Sequence, residues 1–445
     1  MNLDDIIYLS FLFFSIFFGS YYRRISNPDI KKKIGALVGF LIILTVSRVH
    51  FLHIIITILV NAVIILYLNK NVCHIVSFFF SFLYLIFFRT TIYFGIPYPP
   101  SHTNLVQMIL TLKLVGLAFE VNSDQSLKLN LSDTIYYSLN YIGVLTGPYF
   151  KYQTFQDHLY KPFYRYDNYK VEVFKKLFPL VPIYAIIYLF TDYAWPLAYI
   201  ESNEFQNESF LYRYWYIWPT FLNFRMRIYI GLTLSECVCT MGGLGVYPQF
   251  TKNQPGHGPT SNLEKLKEAC ESPNDLKNIE YDYATVHSIN PIATEFYPTL
   301  RDGMKNWNMT VQYWLAMCVH KRFPNKKYRT FATMFVSGVW HGVYSGYYIS
   351  VGMIPFGLIV EDIWVEILLK KPITYLPRNL FDGYWLLLFL KMQFFSYAAL
   401  AFSLLDVHKI LTYYNSVYHW PVPFYLALFV LGKYIIKKQK QINVK

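Results

Sequence analysis

Residues 330–360 read TFATMFVSGVWHGVYSGYYISVGMIPFGLIV, and this stretch says more about the fold than any other. Its 31 residues include no Asp, Glu, Lys or Arg, and a single histidine, His341. A helix that crosses a lipid bilayer needs about 20 mostly apolar residues, so this stretch is long enough to span and to bend. It therefore predicts helical structure within a membrane, with one imidazole at membrane depth.

Apolar segments of similar character recur along the whole chain. Hydrophobic residues make up 54% of the 445 residues and charged residues only 15%, against roughly a quarter charged in ordinary soluble domains. We place the segments near residues 4–20, 35–47, 51–68, 72–88, 104–121, 132–149, 176–200, 211–245, 307–321, 330–360, 380–406 and 421–437. We expect an all-α integral membrane protein in which residues 1–445 form one multi-pass domain with roughly ten or eleven transmembrane helices.

The basic residues occur in short clusters between the apolar segments. The formal net charge is +13, from 40 Lys and Arg against 27 Asp and Glu. The clusters are Arg23 and Arg24, Lys31 to Lys33, Lys175 and Lys176, Lys326 and Lys327, and Lys437 and Lys438. Such clusters are typical of the cytoplasmic ends of membrane helices, and no nucleic-acid-binding motif accompanies them. We expect membrane lipids as surroundings and no nucleic-acid partner.

Two further features have simple interpretations. Residues 250–300 are rich in Gly, Pro, Asn and mixed charges, which predicts an exposed loop with one short amphipathic helix. The five cysteines include one C-x-C pair, Cys237 and Cys239, without a second ligand pair. We therefore predict neither a disulfide framework nor a metal site.

His341 is the first candidate for chemistry, because ionisable residues deep in apolar segments are costly and commonly functional. On a continuous helix, Ser337 and Ser345 would lie one turn to either side of it. Glycines recur every four residues, at positions 338, 342 and 346, and would let another helix backbone approach closely. A histidine that is merely hydrogen-bonded between helices is the alternative interpretation.

Asn308 opens the preceding apolar segment and supplies a second polar side chain. A basic turn, KRFPNKKYR at 321–329, separates it from His341. Both residues lie about 16 positions from the turn centre at Pro324 and Asn325, or about 25 Å along two unbroken helices. An antiparallel hairpin would therefore place Asn308 and His341 at similar depth in the bilayer.

Several blocks of the sequence resemble the membrane-bound O-acyltransferase family, and within it the lysophosphatidylinositol acyltransferases. The blocks are LTLKLV (110–115), GVLTGPYFK (143–151), EYDY (280–283), RDGM (301–304), WNMTVQ (307–312) and WHG (340–342). They follow the family order over most of the chain, and the Trp-Asn-Met-Thr and Trp-His-Gly pair at this separation is the most specific part. One departure is Ser345, where close relatives have a proline before Gly-Tyr-Tyr.

The resemblance implies a helical fold around a central chamber that opens to cytosol and bilayer, in the endoplasmic reticulum membrane. It implies that His341 and Asn308 are the catalytic pair, and that acyl-CoA is a co-substrate with no further cofactor. The implied acceptor is the sn-2 hydroxyl of lysophosphatidylinositol, and the implied acyl group is polyunsaturated, such as arachidonoyl.

Acyl transfer from a thioester to an alcohol needs a base and a donor for oxyanion charge. Burial disfavours a charged imidazole, so we expect His341 to be neutral and able to take the hydroxyl proton. Asn308 offers an amide N–H to the developing oxyanion. Nearby side chains are further candidates for substrate contacts: Trp307, Gln312, Trp314, Ser337 and Trp340. Ordinary helix packing is the alternative for the tryptophans.

Other functions remain alternatives. A related enzyme would acylate lysophosphatidylserine or lysophosphatidylcholine, and another would acylate a peptide. A transporter or channel would use His341 to relay protons or gate a pore, but the central apolar segments lack the acidic residues of a cation pathway. The basic turn at 321–329 is either a topology signal or an attraction for the phosphates of CoA or an anionic headgroup.

Overall fold

The computed structural model describes residues 3–161, 163–271, 275–370 and 380–442, and its regular structure is almost entirely helical. The helices of the first part of the chain are α1 (Leu3–Tyr22), α2 (Pro28–Ser47), α3 (Phe51–Tyr67), α4 (Cys73–Arg89), α5 (Ser101–Ser123), α6 (Leu131–Leu139), α7 (Tyr152–Tyr160), α8 (Tyr169–Lys175), α9 (Val181–Ala194), α10 (Asn203–Asn207), α11 (Phe210–Trp215) and α12 (Ile217–Gly242).

The helices of the second part are α13 (Leu263–Glu271), α14 (Pro291–Phe296), α15 (Leu300–Lys305), α16 (Met309–Leu315), α17 (Arg329–His341), α18 (Ser345–Val365), α19 (Leu380–Leu404), α20 (Val407–Ser416) and α21 (Pro421–Ile442). Turns of π-helix extend three helices, at Lys176–Leu180, Ala316–His320 and Glu366–Lys370. Two short strands, β1 (Tyr247–Pro248) and β2 (Tyr281–Asp282), pair antiparallel.

Long apolar helices confirm an integral membrane protein of helical class. Within the described residues, five helical segments are long and apolar enough to cross a membrane, and the bent pair of α20 and α21 would make a sixth. The five are 4–22, 28–67, 101–123, 169–201 and 383–404. Among these five, α5 is the most enclosed, since 83% of its 18-residue apolar stretch is buried, against 11–56% for the other four. This places α5 inside the helical assembly.

The apolar run at 330–360 forms two helices, so the unbroken helix assumed for the spacing of Ser337, His341 and Ser345 does not extend beyond His341. Helix α17 ends at His341 and α18 begins at Ser345. The break follows from a close approach to α19: Gly346 N–H donates to the carbonyl of Leu405 at 2.9 Å, and Ser345 Oγ donates to the same oxygen at 3.1 Å. A Cβ at Gly346 would collide with the backbone of α19, so this glycine permits the contact.

The segment predicted at 132–149 is helical only in its first half. Helix α6 ends at Leu139, and the chain then runs on as buried, irregular backbone. Side chains supply the partners that a helix would have provided, because Asn140 Oδ1 accepts from Ile142 N–H at 3.0 Å. Tyr137 Oη also donates to the carbonyl of Phe150 at 2.6 Å. Such side-chain bonds satisfy backbone groups that would otherwise be unpaired in an apolar interior.

The predicted exposed loop at 250–300 is only partly exposed. Helix α13 is short and amphipathic as expected, with its apolar side buried through Leu266 and Ala269. The expectation is wrong at Ser288 and Ile289, which are buried because their N–H groups donate to Glu236 Oε1 on α12 at 2.6 and 3.1 Å. This part of the loop is therefore anchored to α12.

A buried ion pair ties the end of α1 to the loop that precedes α8. Arg23 binds Asp167 at 2.7 Å, and both side chains are largely shielded from solvent, with exposed fractions of 8% and 1%. Arg23 also donates to the carbonyl of Thr240 at 2.7 Å and to Tyr283 Oη at 2.7 Å. One guanidinium therefore joins three segments that are far apart in sequence.

Replacing Asp167 by Asn should destabilise the protein by about 3 kcal/mol, because it leaves the Arg23 cation buried without a carboxylate. The unfolding temperature of purified protein in detergent measures the effect. The control is Glu201→Gln, which breaks the exposed Glu201–Lys409 pair and should cost about 0–1 kcal/mol. Equal shifts in the two variants would contradict the assignment of Arg23 and Asp167 as a buried anchor.

Candidate active site

The imidazole of His341 lies at the C-terminal end of α17, in the half-buried space beside the helix break. Three aromatic rings surround it, with centroid distances of 4.8 Å to Trp340, 4.8 Å to Phe402 and 5.8 Å to Tyr347. Among the described residues, none makes a hydrogen bond to either ring nitrogen. Both ring nitrogens are therefore available to a ligand.

Asn308 lies directly before α16 in a left-handed backbone conformation, with φ 46° and ψ 51°. Asparagine tolerates this region better than most residues. Its backbone carbonyl accepts from Val311 N–H at 3.1 Å and Gln312 N–H at 3.0 Å. The carboxamide does not cap the helix, and within the described ranges it makes no hydrogen bond. The donors and the acceptor of this carboxamide are therefore available to a ligand, as are the ring nitrogens of His341.

The loop that presents Asn308 is braced from several sides. The side-chain amide of Gln312 donates to the carbonyls of Met304 and Trp307. Thr310 Oγ1 is buried and accepts from Tyr149 N–H at 3.3 Å. Gln312, predicted to contact substrate, thus has a bracing role in the structure, and a substrate contact stays a prediction for it.

Asn308 and His341 stand at the far ends of the two arms of one hairpin. Helix α16 and its π-helical extension contribute seven and five residues, and α17 contributes thirteen. The arms meet near the turn, where Thr333 Oγ1 lies 3.4 Å from His320 Nδ1. The arms are nearly equal in length and place both candidates at about 20 Å from the turn, slightly less than the sequence suggested.

Two tryptophan indoles fix this hairpin on α5. Trp314 Nε1–H donates to the carbonyl of Leu112 at 3.0 Å, and Trp340 Nε1–H donates to the carbonyl of Met108 at 3.0 Å. The two carbonyls are one helical turn apart, about 6 Å along α5. Because the indoles come from the two different arms, α5 holds both arms in register.

An aromatic wall connects the two ends of the hairpin. Trp307 stacks on Phe224 of α12 at 6.4 Å, Phe224 packs on Phe402 of α19 at 5.6 Å, and Phe402 packs on His341 at 4.8 Å. The structure thereby brings Trp307 and His341 to one continuous surface. Ser337 is half-buried one turn before His341, as predicted.

The three tryptophans that were predicted to contact substrate differ in burial. Trp307 is half-buried and belongs to the aromatic wall, whereas Trp314 and Trp340 are buried against α5. Phe224, Phe402 and Tyr347 were not predicted from the sequence as residues of the site. No local signal could have selected them, because the chain has 38 Phe and 41 Tyr and these three lie on separate helices.

Comparison with known proteins shows the family of the chain. Residues 101–396 match the family model described as MBOAT, the membrane-bound O-acyltransferase family, and both Asn308 and His341 lie in this range. The chain is 38% identical to a membrane-bound acylglycerophosphatidylinositol O-acyltransferase of Drosophila melanogaster, over 99% of this chain and 94% of that protein. Proteins of that description from Xenopus laevis and Homo sapiens are each 34% identical, covering 98% and 97% of this chain and 95% and 94% of theirs.

Replacing Gln312 by Leu should loosen the loop at residues 304–310, because two carbonyls lose their shared donor. Hydrogen exchange of the backbone amides in this loop should become faster, while exchange within α5 stays unchanged. The matched control is Gln206→Leu, which removes a single bond to the carbonyl of Ile200 far from the hairpin. Unchanged exchange at 304–310 would show that Gln312 does not brace the loop.

Proposed function

The chain belongs to the membrane-bound O-acyltransferase family, and from this premise we propose that it transfers a fatty acyl group to the sn-2 hydroxyl of lysophosphatidylinositol. The names of relatives that match it over nearly its full length support this acceptor. The observation that carries the proposal is that the His341 imidazole and the Asn308 carboxamide, at the far ends of two helical arms of similar length within the matched region, make no hydrogen bond to any described group.

His341 acts as the general base in the proposed reaction. Its neutral imidazole takes the proton from the lipid hydroxyl, and the oxygen attacks the carbonyl carbon of the thioester. The carbon–sulfur bond breaks, and the imidazolium returns the proton to the departing thiolate. A positioned base of this kind contributes on the order of 10²–10⁴-fold in rate.

Asn308 stabilises the charge that develops on the carbonyl oxygen. Its amide N–H is not committed to any described group, so it can be directed at the oxyanion. Donors in this role contribute on the order of 10²–10³-fold. The aromatic wall of Trp307, Phe224 and Phe402 supplies the water-poor surroundings in which such a bond is strong.

The same proposal names acyl-CoA as the donor, a polyunsaturated chain such as arachidonoyl as the acyl group, and no further cofactor. The basic turn at 321–329 supports an anionic donor, because its Lys321, Arg322, Lys326 and Lys327 are exposed at the closed end of the hairpin. We place the enzyme in the endoplasmic reticulum membrane, with ten or eleven helices around a central chamber.

Replacing either candidate residue should remove most activity. We expect His341→Ala to lower acyl transfer at least about 10²-fold and Asn308→Ala about 10²-fold, each with the fold retained. The assay offers arachidonoyl-CoA and a panel of lysophospholipids with inositol, serine and choline headgroups to purified enzyme. The matched control is His53→Ala, another half-buried histidine, which hydrogen-bonds Tyr84 on α4.

Each outcome of this assay bears on one part of the proposal. Activity retained by the His341 variant would exclude its role as base. A wild-type preference for the serine or choline headgroup would replace the acceptor while leaving the family chemistry intact. Acyl label that stays on the denatured protein would contradict direct transfer and require a covalent intermediate.

A further inference from the structure

Arg89 is a buried cation at the C-terminal end of α4, only 5% exposed. Within the described residues it pairs with no carboxylate. A charge removed from water without an opposite charge is costly unless polar groups surround it, so its hydrogen bonds account for its place in the fold.

The guanidinium binds the end of the helix that carries His341. Arg89 Nη1 donates to the carbonyl of Val339 at 3.1 Å, and Nη2 donates to the carbonyl of Trp340 at 2.8 Å. Both carbonyls belong to the last turn of α17, where helix geometry leaves carbonyls without backbone partners. The negative end of the helix dipole favours a cation here. Arg89 Nε also donates to Asn104 Oδ1 on α5 at 3.4 Å, and this bond orients the planar guanidinium.

The imidazole itself has no hydrogen bond to hold it among the described residues. Its position therefore depends on packing against its aromatic neighbours and on the backbone that precedes it. That backbone is fixed at two points: Trp340 Nε1–H binds α5, and the two carbonyls before His341 bind Arg89. The planar fork of arginine suits two adjacent carbonyls, a geometry that a lysine ammonium cannot reproduce.

We propose that Arg89 is a positioning residue for His341, which fixes the end of α17 so that the imidazole points into the reaction space. It acts through the carbonyls of Val339 and Trp340 and does not touch the substrate. This inference rests on the proposed acyl transfer by His341. Displacement of a catalytic group by about 1 Å can cost about 10²-fold in rate, so the effect falls on kcat.

The test measures kcat and KM on the full-length enzyme purified in detergent, with arachidonoyl-CoA and lysophosphatidylinositol. Arg89→Met removes every donor at similar length and should lower kcat about 10- to 100-fold, with both KM values within about threefold of wild type. Arg89→Lys can reach one carbonyl and should recover part of the loss. The control is Arg48→Met, which removes an exposed arginine paired with Asp4 at 3.4 Å, and should leave kcat unchanged.

Two results would overturn the inference. One is a kcat for Arg89→Met within about threefold of wild type. The other is a raised KM for the lysolipid with kcat retained, which would make Arg89 a contact for the anionic headgroup.

A milder variant covers the case in which Arg89→Met does not fold. Asn104→Leu removes only the acceptor that orients the fork, and we expect it to lower kcat several-fold without changing KM; wild-type kcat in this variant would contradict the inference. A wild-type enzyme with no activity on lysophosphatidylinositol, or an active His341→Ala variant, would instead refute the proposed function itself.

Discussion

The structure depends on two hydrogen bonds between indole N–H groups and the backbone of α5. In an apolar interior a buried N–H must find an acceptor, and helix carbonyls are the acceptors at hand. Trp314 and Trp340 use carbonyls one turn apart, at Leu112 and Met108. Since one indole comes from each arm of the hairpin, these bonds set the arms in register and place Asn308 and His341 at the same level.

The remaining geometry of the site follows from where each arm stops. Helix α17 ends at His341 because the chain must turn to let Gly346 approach α19. The ring of this terminal histidine packs against Phe402 of α19, with 4.8 Å between the ring centroids. Asn308 begins the other arm in a left-handed conformation that leaves its carboxamide unused. The two helix termini thus carry the two candidate side chains, and the aromatic wall connects Trp307, the neighbour of Asn308, with His341.

Much of this could be predicted from the sequence, because the decisive signals are local. The charge-free run at 330–360, the basic turn and the two polar residues at equal distance from it identified the hairpin and its candidates. The rest could not, because it depends on contacts between distant segments. The break after His341 depends on α19, and the irregular chain after Leu139 depends on side-chain bonds such as that of Asn140. Residues such as Phe402 are indistinguishable in sequence from dozens of other aromatics.

We attribute the alignment of the two arms of the hairpin to the two indole hydrogen bonds with α5, and the decisive measurement is the activity of tryptophan-to-phenylalanine variants. Phenylalanine keeps an aromatic ring but removes the N–H donor. The loss of one buried hydrogen bond, about 1–1.5 kcal/mol, corresponds to a roughly tenfold change in an equilibrium or rate constant. We expect Trp340→Phe and Trp314→Phe each to lower kcat by up to about tenfold while the protein remains folded. Wild-type kcat in both folded variants would contradict this attribution.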